Sequence, residues 1–231
     1  MDLNASTPAD VLAMLLQERY SCRGFLPDPI DRDVISSIVS DASYTPSWCN
    51  TQPWHLIVTD REETERFRKV LSEHVGVRFE DAPDLPFPTS YVGEYLARRR
   101  ECGWQLYESV GIAKGDRAAS WRQMLKNFSL FGAPHVAIVT TDRNLGIYGA
   151  VDCGLFVQSF LLAAQSRGIG AVPQAAMASQ APFIRNYFQI PDDRLILLGI
   201  SFGYPDTSSP ANGFRTTRQS ADDIISWAGE K

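Results

Sequence analysis

Histidine is scarce in this chain: three among 231 residues, His55, His74 and His135, none at metal-ligand spacing from another. That argues against a histidine-built metal centre and leaves satisfied or surface rings. Cysteine is nearly as sparse, and Cys22, Cys49, Cys102 and Cys153 form no C-x-x-C pair, so neither a zinc site nor a disulfide scaffold is written here. Reduced thiols are expected. Positive charge is not in excess either: a net charge of −5 argues against gripping nucleic acid or an anionic membrane through the overall field. Arg98-Arg99-Arg100 is the one basic run and reads as a solvated helix face. The start, MDLNASTPAD, lacks the basic and apolar stretches of a secretory signal, so a cytoplasmic setting is the expectation. Long apolar runs are missing too. Gly149 to Ala164 is interrupted by Asp152, Gln158 and Ser159 and reads as too short and too polar to cross a bilayer.

What is present is ample core material, 44% hydrophobic residues, enough for a single domain over residues 1–231. Thr7-Pro8-Ala9-Asp10 is a helix start, and Val11, Leu12, Leu15 and Leu16 make a stripe expected to be buried. A second helix is expected over Asp31 to Ser43, and a strand over Trp54 to Thr59. Asp60-x-x-Glu63 reads as a capping box ahead of Phe67, Val70 and Leu71. Residues 91–131 read as a helical excursion of two helices around a break near Gly111 to Gly115. His135 to Thr141, Ala171 to Ala176 and Leu195 to Phe202 are strand-like, and Gly149 to Arg167 is a helix apolar on nearly all sides. Pro182 opens a small helix, and Ser220 with Asp223 opens a last one. Helices interleaved with few, separated strands give an α+β layout.

Two familiar motifs fail on context. Gly199-Ile200-Ser201-Phe202-Gly203 matches a nucleophile elbow, yet Tyr204-Pro205 follows instead of a helix and no histidine comes after the serine. The two glycines read as close-packing positions. Gly168-Ile169-Gly170 follows a helix and lacks the third glycine of a dinucleotide fingerprint. Arg19-Tyr20-Ser21-Cys22-Arg23 is more telling, because two arginines four apart around a serine present forked donors and a hydroxyl to an anion. Arg215-Thr216-Thr217-Arg218 is a second such group, and the pair suggests one anionic ligand. Between helix and strand lies Thr45-Pro46-Ser47-Trp48-Cys49-Asn50-Thr51-Gln52-Pro53-Trp54. Its amides, Asn50 and Gln52, match a ring edge that alternates carbonyl and N–H, although, taken alone, the stretch is better read as a rigid Pro-bounded turn whose tryptophans bury area.

Taken together, Arg19 to Phe25, Pro46 to Trp54, Gly168 to Gln174, Leu198 to Pro205 and the tail arginines resemble the FMN-dependent nitroreductase family, in order and over nearly the whole chain. The resemblance implies a mainly antiparallel central sheet flanked by helices, in an intertwined homodimer with flavin at the subunit boundary. It implies that Arg19, Tyr20, Ser21 and Arg23 hold FMN, with Arg23 near the ring and the first group near phosphate and ribityl chain. Pro46, Ser47, Trp48, Asn50 and Gln52 would approach from the partner subunit, backbone at Pro173, Gln174 and Ala175 would face the ring N5, and Arg215 and Arg218 would take the phosphate. A mid-chain contact is expected among Arg122, Lys126 and Asn127. The chain departs from the family where many members carry Lys for Arg23, His for Tyr20 and Glu-Gly for Gln174-Ala175. The implied activity is ping-pong reduction of nitroaromatic or quinone-type small molecules by NADH or NADPH, with no metal and no catalytic side chain of the protein's own. Dehalogenation, enone reduction, flavin breakdown and non-catalytic FMN binding are the alternatives.

Overall fold

The computed structural model of the chain describes residues 7–79 and 81–229. Its strands are β1 (His55–Val58), β2 (His135–Asp142), β3 (Gly170–Gln174) and β4 (Arg194–Gly203). They form one sheet in the order β1-β2-β4-β3, every neighbouring pair antiparallel. β2 and β4 are central, and Val136 to Val139 are fully buried, as a strand covered on both faces must be. Gly199 faces Ile138 across the ladder, and the register shifts between Val139 and Thr140.

The helices are α1 (Pro8–Glu18), α2 (Arg32–Ala42), α3 (Arg61–Val77), α4 (Gly93–Ser109), α5 (Arg117–Leu125), α6 (Gly146–Gln165), α7 (Ala181–Phe188) and α8 (Ala221–Ile224). One sheet face packs Ala137, Val139, Ile200 and Phe202 against Ile38 of α2 and Phe156 and Phe160 of α6. The other packs Ile138 and Ile196 against Phe67 and Leu71 of α3 and Ile184 of α7. Each such fully buried side chain contributes roughly 1.5–3 kcal/mol.

Local signals set the helix starts. Thr7 Oγ1 accepts the Asp10 N–H at 3.2 Å, and the Asp10 carboxylate accepts the Thr7 N–H at 2.9 Å. Ser220 and Asp223 repeat this at α8. Half of the box expected at α3 forms: Asp60 caps the Glu63 N–H, but the Glu63 carboxylate accepts the Tyr187 hydroxyl at 2.6 Å.

Three expectations need correction. The α1 stripe is only partly buried: Val11 and Leu15 are half-buried where α1 meets α6, while Leu12 stays 52% and Leu16 46% exposed. Amphipathic spacing reports a face that needs cover and says nothing of where the cover comes from. α6 starts at Gly146, earlier than read, and runs for 20 residues. By length and apolar content the stretch Arg143–Gln165 would reach across a bilayer, contrary to the sequence reading. Its contacts with α2, β2 and β3 make it a core helix.

His135 ties the layers together. Its Nε2 accepts the Ile30 N–H at 2.9 Å and its Nδ1 lies 2.9 Å from the Thr59 carbonyl. An amide N–H only donates, so the ring proton belongs on Nδ1. α4 and α5 form the expected excursion, broken where Gly111 and Gly115 adopt φ of +71° and +92°.

Candidate functional site

α1 ends at Glu18, and Arg19 leaves it extended, with φ −59° and ψ 130°. The following residues run along the β3 edge: Ser21 bridges Ala171 in parallel fashion, Phe25 bridges Pro205, and the Cys22 N–H donates to the Ala171 carbonyl at 3.2 Å. Two glycines permit this approach. A Cβ on Gly170 would stand 2.9 Å from Cys22 Sγ, and one on Gly24 would collide with the Ser209 side chain.

The tail returns through a single turn at Pro210–Asn212 and lays Phe214 to Arg218 beside this segment. The two arginine groups, 190 or so positions apart in the chain, thereby meet. Arg19, Tyr20, Ser21, Arg23, Arg215 and Arg218 line one cavity of about 540 Å³. A second, of about 510 Å³, shares Cys102, Thr216 and Arg218 with it and is bounded by α4. A larger cavity of about 1010 Å³ between α2 and β1 contains none of these residues.

The charge here is uncompensated. Among the described residues none of Arg19, Arg23, Arg215 and Arg218 forms an ion pair with a carboxylate. Burial, then the charge of Arg218, pushes the Arg19 pKa below the ordinary arginine value. Burial does the same to Arg23, against the pull of Cys102 and Cys22. Arg23 Nη1 donates to the Ser21 carbonyl at 3.2 Å. Arg215 lies 3.9 Å over the Tyr20 ring, and burial above all raises the Tyr20 phenol. Arg19 and Arg23 are half-buried, and like charges gathered there without an acid are unfavourable until an anion joins them. Forked donors beside the Ser21 hydroxyl suit a phosphate.

The loop Thr45 to Gln52 lies apart, against α6. Cys49, Asn50 and Gln52 all take left-handed φ, 51°, 56° and 46°, which is unfavourable for side chains of L configuration. Three hydrogen bonds hold the shape. The Trp48 N–H donates to Asp152 at 3.1 Å, the Thr45 hydroxyl to Ser159 at 2.6 Å, and the Gln52 N–H to Ser47 Oγ at 2.9 Å. Trp48 meets Tyr148 edge to face at 4.6 Å. The Asn50 side chain has no partner among the described residues, and Gln52 reaches only the Asn50 carbonyl, at 3.4 Å. Pro46, Ser47, Trp48, Asn50 and Gln52 thus do not line the arginine cavity of their own chain.

Pro173, Gln174 and Ala175 lie at the end of β3, the strand that Ser21 bridges. The Gln174 side chain turns inward: Oε1 accepts the Ser201 hydroxyl, and Nε2 donates to the Asn127 carbonyl at 2.8 Å. Only backbone remains there for a ligand. Ser201 is fully buried and committed to Gln174, and a Cβ on Gly199 or Gly203 would press on Met177 or Pro134 at 2.9 and 2.5 Å. These glycines are packing positions, so the nucleophile elbow falls away. Of Arg122, Lys126 and Asn127, the three mid-chain positions left open by the sequence, Asn127 alone is tied to the end of β3. Asp152 and Asn212 have no signal in the sequence, because each acts on backbone far along the chain.

Fold and site together define an α+β protein with a four-stranded antiparallel sheet and, beside the β3 edge, a cationic, hydroxyl-bearing cavity whose chemistry suits an anion. The chain belongs to the nitroreductase family, whose model matches residues 16–204. It is 34% identical over 218 residues to a 4-nitrobenzoate reductase of Pseudomonas putida, covering 93% of this chain and 94% of that one. A nitrobenzene nitroreductase of Ectopseudomonas oleovorans is 31% identical over 218 residues, with 94% and 96% covered. Among solved structures, the FMN-dependent nitroreductase NfnB from Mycobacterium smegmatis in complex with NADPH superposes with a TM-score of 0.91 at 28% identity, over 96% of this chain and 100% of that one.

Proposed function

We propose that the chain is an FMN-dependent oxidoreductase that uses NADH or NADPH to reduce nitroaromatic or quinone-type small molecules. The observation that carries this is the single cavity in which Arg19, Arg23, Arg215 and Arg218 stand without a carboxylate, next to Ser21 and Tyr20. When bound, FMN would supply the hydride chemistry between nicotinamide and oxidant, in ping-pong order. The protein's own residues bind, orient and set charge. Arg19 and Arg218 take the phosphate, Ser21 the ribityl chain, and Arg23 lends positive charge to the N1 and C2 carbonyl edge of the ring. Backbone at Pro173, Gln174 and Ala175 lines the N5 side.

The loop 46–52 completes the site from a second copy, so the active form is a homodimer. Exposed apolar side chains support this reading: Leu12 and Leu16 on α1, and Ile147, Tyr148, Val151 and Leu155 on α6. They lack cover within the described chain, and Trp48 sits against Tyr148 at their margin. The test is optical. The purified protein is expected to be yellow, to bleach with NADH or NADPH, and to regain colour on adding a nitroaromatic. A colourless protein that takes up no FMN would end this reading. Bleaching without recovery by any nitroaromatic or quinone, but with recovery by an enone or a haloaromatic, would move the chemistry within the same fold.

A further inference from the structure

Asn212 joins the two arginine groups. It is 6% exposed, and its side chain makes three hydrogen bonds, all to backbone. Oδ1 accepts the Arg23 N–H at 2.7 Å, while Nδ2 donates to the carbonyls of Gly24 and Asp206, both at 2.8 Å. Its own carbonyl accepts Arg215 Nη1 at 2.9 Å. A side-chain amide is suited to this: acceptor and donor sit side by side, matching the N–H of one residue and the C=O of the next. The segment it grips packs closely on the tail, since Ser209 fills the space that a side chain on residue 24 would need.

The consequence is geometric. The Arg23 backbone is held by the side chain of Asn212, and the Arg215 guanidinium by the Asn212 carbonyl together with the Phe214 carbonyl at 2.9 Å and the Tyr20 ring, so one residue bears on two cations 192 positions apart in the chain. Neither arginine has an acid to orient it.

We propose that Asn212 is the positioning residue of this site, aligning Arg23 and Arg215 so that both address one ligand; the identity of that ligand as FMN rests on the functional reading above. Asn212→Ala removes the three side-chain bonds that hold the Arg23 segment, keeps the carbonyl that meets Arg215, and touches no ligand-facing group. It is expected to weaken FMN binding by about tenfold and to move the flavin midpoint potential in the same direction as Arg23→Ala. The deciding measurement is the double-mutant cycle. If Asn212 acts through Arg23, its effect on FMN affinity shrinks sharply in the Arg23→Ala background, whereas a mere fold staple costs the same in both. Should Asn212→Ala fail to fold, Asn212→Ser, whose short hydroxyl cannot span all three partners, carries the same cycle.

Unchanged FMN affinity and potential, or additive losses, overturns the proposal. If the wild type takes up no FMN, the cycle is read from the thermal shift that inorganic phosphate gives the apoprotein. Loss of that shift with non-additivity would then uphold Asn212 while ending the flavin reading. No phosphate shift in the wild type would overturn both.

Discussion

Arg19 stands out among the cavity's charges, because after burial it is another cation, Arg218, that lowers its pKa. If it takes the phosphate, Arg19→Ala should weaken FMN about ten- to hundredfold, the equivalent of roughly 1.5–3 kcal/mol for a charge-assisted bond. Riboflavin, which has no phosphate, should bind the variant and wild type alike. Fluorescence titration of both flavins checks this, and equal losses would move Arg19 away from the phosphate. His135 makes a separate prediction. Burial holds its ring below the ordinary histidine pKa, against the opposing pull of the Thr59 carbonyl and Asp60. The unfolded chain therefore binds this proton more readily, so the ring's contribution is complete above the unfolded pKa of about 6.5 and declines as pH falls through it. Urea unfolding at pH 8 and pH 5 should show a loss of up to about 1.4 kcal/mol per unit from this group. His135→Gln should remove that slope while leaving the protein less stable at pH 8.

At the scale of elements, two glycines predict opposite outcomes. A Cβ at Gly203, at the end of β4, would stand 2.5 Å from the Pro134 ring, which cannot swing aside. Gly203→Ala should cost about 1–3 kcal/mol through overpacking. Gly76 in α3 has nothing within 4 Å and an ordinary helical backbone, so Gly76→Ala should gain about 0.5–1 kcal/mol. Urea midpoints of the two variants decide the matter. Such elements were largely readable before folding, because their signals are local. Thr7 with Asp10 and Ser220 with Asp223 form their boxes at the predicted places. Glu63 did not complete its box because Tyr187, far along the chain, competes for its carboxylate. The start of α6 was misplaced because Gly146 and Ile147 carry no cap signal; the residue before the helix, Leu145, makes no side-chain cap.

For the whole molecule, the exposed face of α6 is the place to intervene. Gly154 lies there between Val151 and Leu155, with open space beyond its Cα. Gly154→Arg should leave the fold of a lone chain intact by circular dichroism, yet yield a monomer by light scattering and reduce FMN occupancy. A dimeric variant with full flavin would contradict the proposed assembly. The site was legible only in part. Arginines and hydroxyls announce themselves by type and spacing, and the two groups do meet. Asn212 and Asp152 do not, since the backbone that each holds lies 189 and 104 positions away, and no local pattern encodes such a pairing.

Gly24 and Gly170 stand where any side chain would collide with Ser209 or Cys22, so the backbone that carries the arginines is closely packed. Such packing leaves little for mutation to vary, so divergence toward new substrates must come from the helices around the site. α4 and α5 offer it, with Tyr91, Tyr95, Trp104 and Trp121 exposed on or beside them and no buried residue in α4. Randomising residues 91–131 should therefore alter substrate preference in libraries whose members still fold, while libraries at 22–25 and 168–172 should return mostly dead clones.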